Sequence, residues 1–158
     1  STSRRIAGLA PGYAGRRDPL GLPDQVMVEG ELVINPQFEW AGGGFATSPR
    51  DLARWGRELY AGNGRAISPA ARRLMIDSAV AARLGPETRY GLGVIVRLKT
   101  PVGPAWGHSG FFPGYQTELL YVRDLDVSLA VQVNTSAPRA TGRSLLRVLL
   151  DIAAMTRG

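Results

Sequence analysis

The chain of 158 residues contains no cysteine, one histidine (His108) and one lysine (Lys99). The absence of cysteine excludes disulfides, cysteine nucleophiles and thiolate metal sites. No second histidine can join His108 in a metal site, and the acidic residues lack ligand spacing. We therefore predict no metal and no cofactor, and any imidazole chemistry depends on His108 alone.

Long apolar runs are also absent. No stretch approaches the roughly 20 apolar residues that a membrane-spanning helix needs, so no membrane span is predicted. Residues 1–11 carry basic side chains but no apolar core, so they are not a signal peptide. The compartment is left open between the bacterial cytoplasm and the periplasm.

The positive charge is dispersed along the chain. The net charge is +6, and every basic side chain except Lys99 is an arginine. The arginines form no run, and no nucleic-acid motif accompanies them, so a solvated arginine-rich surface is favoured over nucleic-acid binding. Because 44% of the residues are apolar and 20% charged, the composition is typical of one globular domain, or a fragment of one.

The sequence pattern changes near residue 89. Residues 1–89 are predicted to form a loop and helical region, and residues 90–158 to form antiparallel strands followed by a C-terminal helix. In the first part, the apolar runs 25–28 and 31–34 flank Glu29-Gly30 and favour a small hairpin.

Two helices are predicted from their capping signals, Ser48-Pro49 and Ser68-Pro69. Helical spacing indicates that each buries one apolar stripe. The predicted inward residues are Leu52, Trp55, Gly56 and Leu59 in the first helix, and Ala71, Leu74, Met75 and Ser78 in the second.

Three strands are predicted in residues 90–158, at 92–98, 116–122 and 127–134. The short turn at 123–126 makes the last two antiparallel neighbours. A helix from about Thr141 to Met155 has a broad apolar face that must pack on the sheet. The predicted fold class is α+β: an antiparallel sheet of about three strands plus the small hairpin, packed by the C-terminal helix, with a small helical region.

His108 lies in the segment Trp106-Gly-His-Ser-Gly-Phe-Phe-Pro-Gly-Tyr115. Ser109 cannot be the nucleophile of this imidazole, since adjacent residues of a strand point to opposite faces. A structural histidine remains an alternative to a general base. Glycines at 107, 110 and 114, however, leave the backbone open to close approach by a ligand.

This segment resembles the third motif of the serine β-lactamase, penicillin-binding-protein and carboxypeptidase-like esterase family. Four further segments are similar to that family in the same order: 41–55, which contains Ala-Gly-Gly-Gly, then 67–75, 90–94 and 131–134. The resemblance implies the C-terminal portion of a β-lactamase-like fold, in a serine hydrolase that acts on an ester, an amide or a β-lactam through an acyl-enzyme.

The resemblance also implies roles for individual residues. His108 would hydrogen-bond the catalytic tyrosine, and the backbone N–H of Phe111 would be one of two oxyanion-hole donors. Ser109, Gly110, Phe112 and Tyr115 would bind the acyl substrate. Phe111 and Phe112 replace residues that are often small or polar in this family, and they either line an apolar acyl pocket or belong to the core.

Two motifs that the family needs are missing. Val96 stands three residues before the only lysine, so there is no Ser-x-x-Lys, and no tyrosine begins a Tyr-x-Asn. A serine without an adjacent base is a poor nucleophile. The chain alone is therefore predicted to be inactive and to need a missing N-terminal segment that carries the nucleophile. An unpaired sheet edge is expected where that segment belongs, and this edge could also support a homo-oligomer.

Two alternatives remain open. The chain could be a non-catalytic module that uses the glycine-lined strand to bind a ligand or a partner. It could also be an enzyme whose nucleophile is Ser1, with its own α-amine as the base.

Overall fold

The computed structural model describes residues 3–16, 18–137 and 140–156. Within those ranges, the chain divides into two compact units. The sheet unit comprises described residues of 49–109, 118–131 and 143–158, and the loop unit comprises those of 1–48, 110–117 and 132–142. In chain order the elements are β1 (Met27–Val28), β2 (Glu31–Leu32), α1 (Pro49–Tyr60), α2 (Pro69–Asp77), β3 (Val80–Ala81), β4 (Thr88–Tyr90), β5 (Ile95–Arg97), β6 (Ala105–Phe112), β7 (Tyr115–Val122), β8 (Val127–Val133) and α3 (Leu145–Met155).

The fold is α+β, as predicted, with antiparallel sheets and a C-terminal helix. Strands β3 to β8 form one sheet in which the spatial order follows the chain order, so β3 and β8 are its outermost strands. The prediction of about three strands was too low. β3 and β4 are too short to show a two-residue period, and β6 contains glycines, which are rare in strands.

The predicted strand at 92–98 was too long. Its ordered part is Ile95–Arg97, which pairs with β4 through Tyr90↔Ile95. The preceding residues form the turn between β4 and β5, where Gly93 has a φ of 70°. At Gly91 an added Cβ would collide with the carbonyl oxygen of Met75. Because of these glycines, the strand starts later than the apolar pattern suggested.

The helices α1 and α2 begin where the capping signals predicted. In α2 the Ser68 side chain accepts a hydrogen bond from the Ala71 N–H at 3.2 Å. The predicted inward faces were partly wrong, because Trp55, Ala71, Leu74 and Ser78 are exposed while Tyr60 and Arg72 are buried; Gly56 and Met75 are buried as predicted.

Close packing at Gly56 accounts for the orientation of α1. An added Cβ there would lie 2.6 Å from both Leu119 Cδ1 and Ser128 Oγ, so the helix backbone touches the sheet directly. Leu52 and Leu59 flank this contact and pack against the same apolar cluster. Trp55 is thereby turned away from the sheet.

Arg72 is the buried residue of α2 that the apolar pattern could not show. Its guanidinium donates to the carbonyl oxygens of Leu59 at 2.8 Å and Gly64 at 2.6 Å, with longer bonds to Gly62 and Ile67. These carbonyls belong to the end of α1 and the following loop. Arg72 therefore satisfies backbone acceptors that α1 leaves open at its C-terminus.

Helix α3 begins at Leu145, later than the predicted Thr141, because the Ser144 side chain accepts from the Arg147 N–H and acts as the N-cap. As predicted, the helix packs on the sheet. Leu149 and Ala153 join Leu120 and Val122 in a buried cluster. Among the described residues, no helix is long and apolar enough to cross a membrane.

The loop unit contains the predicted small hairpin, formed by β1 and β2. Met27 faces Leu32, and Val28 faces Glu31. Glu29 and Gly30 both have positive φ, which is the pattern of a type I′ turn. The apolar cluster of the loop unit is small, and its buried members are Ala14, Val26, Met27 and Leu32.

Candidate active site

Strand β6 carries the segment that contains His108, and the histidine lies in mid-strand. Ala105 and Gly107 are buried, while the alternate residues Trp106 and His108 are half-buried on the other face. Gly107 is required by packing, since an added Cβ would overlap the carbonyl oxygen of Leu119. Trp106 stacks on Tyr121 with ring centroids 5.6 Å apart. Packing thus fixes the position of β6, the strand that carries the His108 imidazole.

The imidazole of His108 is hydrogen-bonded at both nitrogens. Its Nδ1 lies 2.6 Å from the carbonyl oxygen of Ser109, and its Nε2 lies 2.8 Å from the Tyr90 hydroxyl. The two rings meet edge to face, with centroids 5.6 Å apart. Because a carbonyl only accepts, Nδ1 must hold a proton. In the neutral ring, Nε2 therefore accepts from the Tyr90 O–H.

Tyr90 is the partner that sequence reasoning missed. The segment 90–94 was singled out only as similar to a family strand, and nothing in it indicated contact with His108. The contact depends on the pairing of β4 with β5 and of β5 with β6, which sets Tyr90 opposite Ile95 and Ile95 opposite Gly107. Sequence spacing alone did not reveal that register.

A buried ion pair lies in the same sheet. Arg97 Nη2 is 2.9 Å from Glu118 Oε1, and the two side chains are only 11% and 7% exposed. Burial raises the pKa of Glu118, against the lowering effects of Arg97 and, more weakly, His108. Burial likewise lowers the pKa of Arg97, which Glu118 opposes. Arg97 Nη1 is buried without a hydrogen-bond partner among the described residues.

The remaining predicted site residues belong to different surroundings. Ser109, in the sheet unit, is exposed. In the loop unit, Gly110 and Phe111 are exposed, and an added Cβ on Gly110 would meet Thr117 Cβ at 3.5 Å, an ordinary contact. Local packing therefore does not require a glycine at position 110.

Phe112 and Tyr115 pack within the loop unit. The Phe112 ring stacks on Phe38 at 5.5 Å and lies 6.1 Å from the Tyr115 ring. The Tyr115 hydroxyl donates to the carbonyl oxygen of Ala10 at 2.7 Å, and burial raises the pKa of Tyr115. Of the two adjacent phenylalanines, Phe112 thus joins the apolar cluster and Phe111 faces solvent.

Two further features bear on the chemistry. Across 3–16, 18–137 and 140–156, no three acidic or histidine side chains are grouped so that they could hold a metal ion. Ser1, the alternative nucleophile, lies outside the described residues.

An antiparallel sheet packed by a C-terminal helix is the arrangement of the C-terminal part of β-lactamase-like enzymes, which is the class that the fold defines. A family model described as Beta-lactamase matches residues 2–154. The chain belongs to this family. No curated protein sequence matches it.

Three chains of solved structures are similar to this one, and two of them are as follows. One is a D-stereospecific amidohydrolase from Streptomyces sp., with 26% identity and a TM-score of 0.66; the match covers 85% of this chain and 37% of that one. The other is a D-amino acid amidase from Ochrobactrum anthropi SV3 complexed with D-phenylalanine, with 18% identity and a TM-score of 0.64, covering 94% and 43%. This second likeness concerns the fold alone. The chain thus spans less than half the length of either structure.

Proposed function

We propose that this chain supplies one part of the active site of a serine hydrolase that works through an acyl-enzyme and that it is inactive by itself. The observation that carries the proposal is the half-buried imidazole of His108, held in mid-strand with both nitrogens hydrogen-bonded. A histidine in such a setting is suited to stabilise or move a proton near a reacting group.

His108 and the backbone N–H of Phe111 are the proposed catalytic groups. The imidazole would help to set the protonation of the reacting groups, and the N–H would be one oxyanion-hole donor. Ser109, Gly110, Phe112 and Tyr115 are proposed to contact the acyl substrate. Because Phe112 and Tyr115 already pack on each other, they would shape the pocket more than exchange hydrogen bonds.

The nucleophile must come from another segment, because the chain has neither Ser-x-x-Lys nor Tyr-x-Asn. Short coverage of the two similar structures supports this. We propose that the missing N-terminal segment pairs with β8, an outermost strand of the sheet. The same edge would otherwise be open to a second copy of the chain.

Amides are the substrate class we favour among amides, esters and β-lactams. The support is the 26% identical structure, which is a D-stereospecific amidohydrolase. An active site that serves amides also serves activated esters, which need less leaving-group assistance, so both belong in the assay.

The test is complementation. The purified chain is mixed with the N-terminal portion of a similar enzyme that carries the nucleophile, and hydrolysis of a D-amino acid anilide and of a p-nitrophenyl ester is followed. We expect turnover by the mixture and none by the chain alone. Turnover by the 158-residue chain unaided would overturn the proposal, and tight association without turnover would indicate a non-catalytic binding module instead.

Substitution of His108 tests its catalytic role separately. In the active mixture, His108→Ala should lower kcat by about 100-fold or more, the range for loss of a general acid or base. Arg73→Ala, on the exposed side of α2, is the control and should leave kcat unchanged. Wild-type kcat in the His108 variant would remove the histidine from the mechanism.

A separate test addresses Ser1. If the mixture keeps its activity when the α-amine of the chain is chemically blocked, Ser1 is excluded as the nucleophile.

A further inference from the structure

The hydrogen-bonding capacity of the His108 imidazole is already fully used. Nδ1–H donates to the Ser109 carbonyl at 2.6 Å, and Nε2 faces the Tyr90 hydroxyl at 2.8 Å. A neutral imidazole has one donor and one acceptor, so no lone pair or proton remains for a third partner. A tyrosine arriving on another segment could bind Nε2 directly only by displacing Tyr90.

The Tyr90 hydroxyl, in contrast, keeps acceptor capacity. After donating to Nε2, its oxygen still has lone pairs that an incoming O–H or N–H can use. The residue is 38% exposed. An approaching group could therefore hydrogen-bond to the Tyr90–His108 pair at the phenolic oxygen of Tyr90.

The backbone holds Tyr90 firmly in this position. Tyr90 pairs with Val80 on one side and with Ile95 on the other. The next residue, Gly91, donates its N–H to the Val94 carbonyl at 2.8 Å, and close contact with Met75 allows only glycine there. Moving the Tyr90 backbone away from His108 would disturb two strand pairings, so the point from which the phenol ring projects is fixed.

We propose that Tyr90 is a positioning residue for His108: its hydroxyl occupies Nε2, fixes the orientation of the imidazole that the Ser109 carbonyl holds in the Nδ1–H tautomer, and carries the histidine's hydrogen bond to the reacting groups. The resulting sequence of hydrogen bonds runs from an incoming donor to Tyr90 Oη, and from Tyr90 O–H to His108 Nε2. No net proton transfer is needed for this arrangement. The second half of the proposal rests on the proposed function, and the first half does not.

The first experiment uses the 158-residue chain alone. Because His108 is the only histidine, the ¹⁵N spectrum shows one pair of imidazole nitrogens without assignment ambiguity. At about pH 8.5, roughly two units above the ordinary histidine value, the wild type should show a protonated Nδ1 and a bare Nε2. In Tyr90→Phe, Nδ1 should stay protonated because the Ser109 carbonyl still accepts from it. The Nε2 signal should move downfield, because that nitrogen has lost its hydrogen bond from Tyr90.

An unchanged Nε2 signal in Tyr90→Phe would overturn the positioning role, provided that the variant melts at a temperature near that of the wild type. Tyr13→Phe is the matched control, because Tyr13 is another partly exposed tyrosine, at 42%. It should leave the imidazole signals unchanged. If they shift as much as in Tyr90→Phe, the effect is not specific to the Tyr90 contact, and the positioning role is rejected.

The second experiment uses the complemented enzyme and a double-mutant cycle. Tyr90→Phe should lower kcat by roughly 10- to 100-fold, the range reported for groups that orient a metal-bound histidine, with little change in KM. Adding His108→Gln to Tyr90→Phe should cost less than about threefold more, because residues that act as a unit are not additive. If Tyr90→Phe keeps the wild-type kcat, or if the losses in kcat from the two substitutions multiply fully, Tyr90 does not carry the hydrogen bond of His108 to the reacting groups. Either result would overturn this part of the proposal. Absence of turnover in the wild-type mixture would reject the proposed function, while the spectrum would still decide the positioning role.

Discussion

The sheet unit and the loop unit achieve order by different means. The sheet unit has an apolar cluster on each face of its sheet, one that includes Val94, Leu119 and Tyr121 and one that includes Leu120 and Leu149. The loop unit buries only four residues in its cluster. Buried apolar area therefore stabilises the sheet unit far more than the loop unit.

Side-chain hydrogen bonds to backbone carbonyls compensate in the loop unit. Asn134 Nδ2 donates to Pro11 O at 2.8 Å, Gln116 Nε2 to Thr135 O at 3.0 Å, and Tyr115 Oη to Ala10 O at 2.7 Å. Each such bond contributes about 1 kcal/mol net. The loop unit is thus specified by individual polar contacts, which sequence patterns do not display.

The largest expected effect tests the contrast in apolar burial. Leu120→Ala, in the sheet unit, should lower the free energy of unfolding by about 2–5 kcal/mol, because Leu120 is fully buried and leaves a cavity. Val26→Ala, in the loop unit, should cost about 2 kcal/mol, since fewer buried methyl groups are lost. Urea denaturation measures both. A cost at Val26 as large as that at Leu120 would mean that each methyl group buried in the loop unit contributes at least as much stability as one buried in the sheet unit.

A polar contact inside the sheet unit gives the second prediction. Arg72→Ala should cost about 2–4 kcal/mol, because four carbonyl oxygens lose their shared donor. Arg73→Ala, one residue away and exposed, should change stability by less than about 0.5 kcal/mol. Thermal or urea unfolding separates the two arginines, and a stable Arg72 variant would show that water serves those carbonyls equally well.

The sequence predicted what depends on local periodicity and capping. The fold class, the hairpin around Gly30, the start of α2 at Ser68 and the packing of α3 on the sheet follow from such signals. The buried Arg72 contradicts the apolar pattern, because its acceptors are backbone atoms that have no sequence signature.

The candidate site was predictable only in part. His108 stands out by residue type and by its glycine-rich strand, whereas Tyr90 becomes its partner only through the register of two strand pairings. The Arg97–Glu118 pair depends on the same kind of long-range pairing, across 21 residues. Strand pairing in the sheet sets both contacts, so the local sequence does not predict them.

The smallest expected effect tests backbone strain in the loop unit. Trp40 has φ 47° and ψ −122°, a region that glycine tolerates and that costs other residues about 1–3 kcal/mol. Its side chain is 90% exposed, so truncation loses little burial. Trp40→Gly should therefore raise the free energy of unfolding by about 0.5–1 kcal/mol, after the added chain entropy of glycine is subtracted.

Phe45→Gly is the matched control for this substitution. Phe45 is equally exposed, at 89%, but it does not have a positive φ. Glycine there relieves no strain and only adds conformational freedom to the unfolded chain, so stability should fall by about 0.5–1 kcal/mol. Opposite signs at positions 40 and 45 would show that the loop unit stores strain at one residue. The same sign at both would mean that exposure alone decides the outcome, and that the conformation of Trp40 carries no energetic cost.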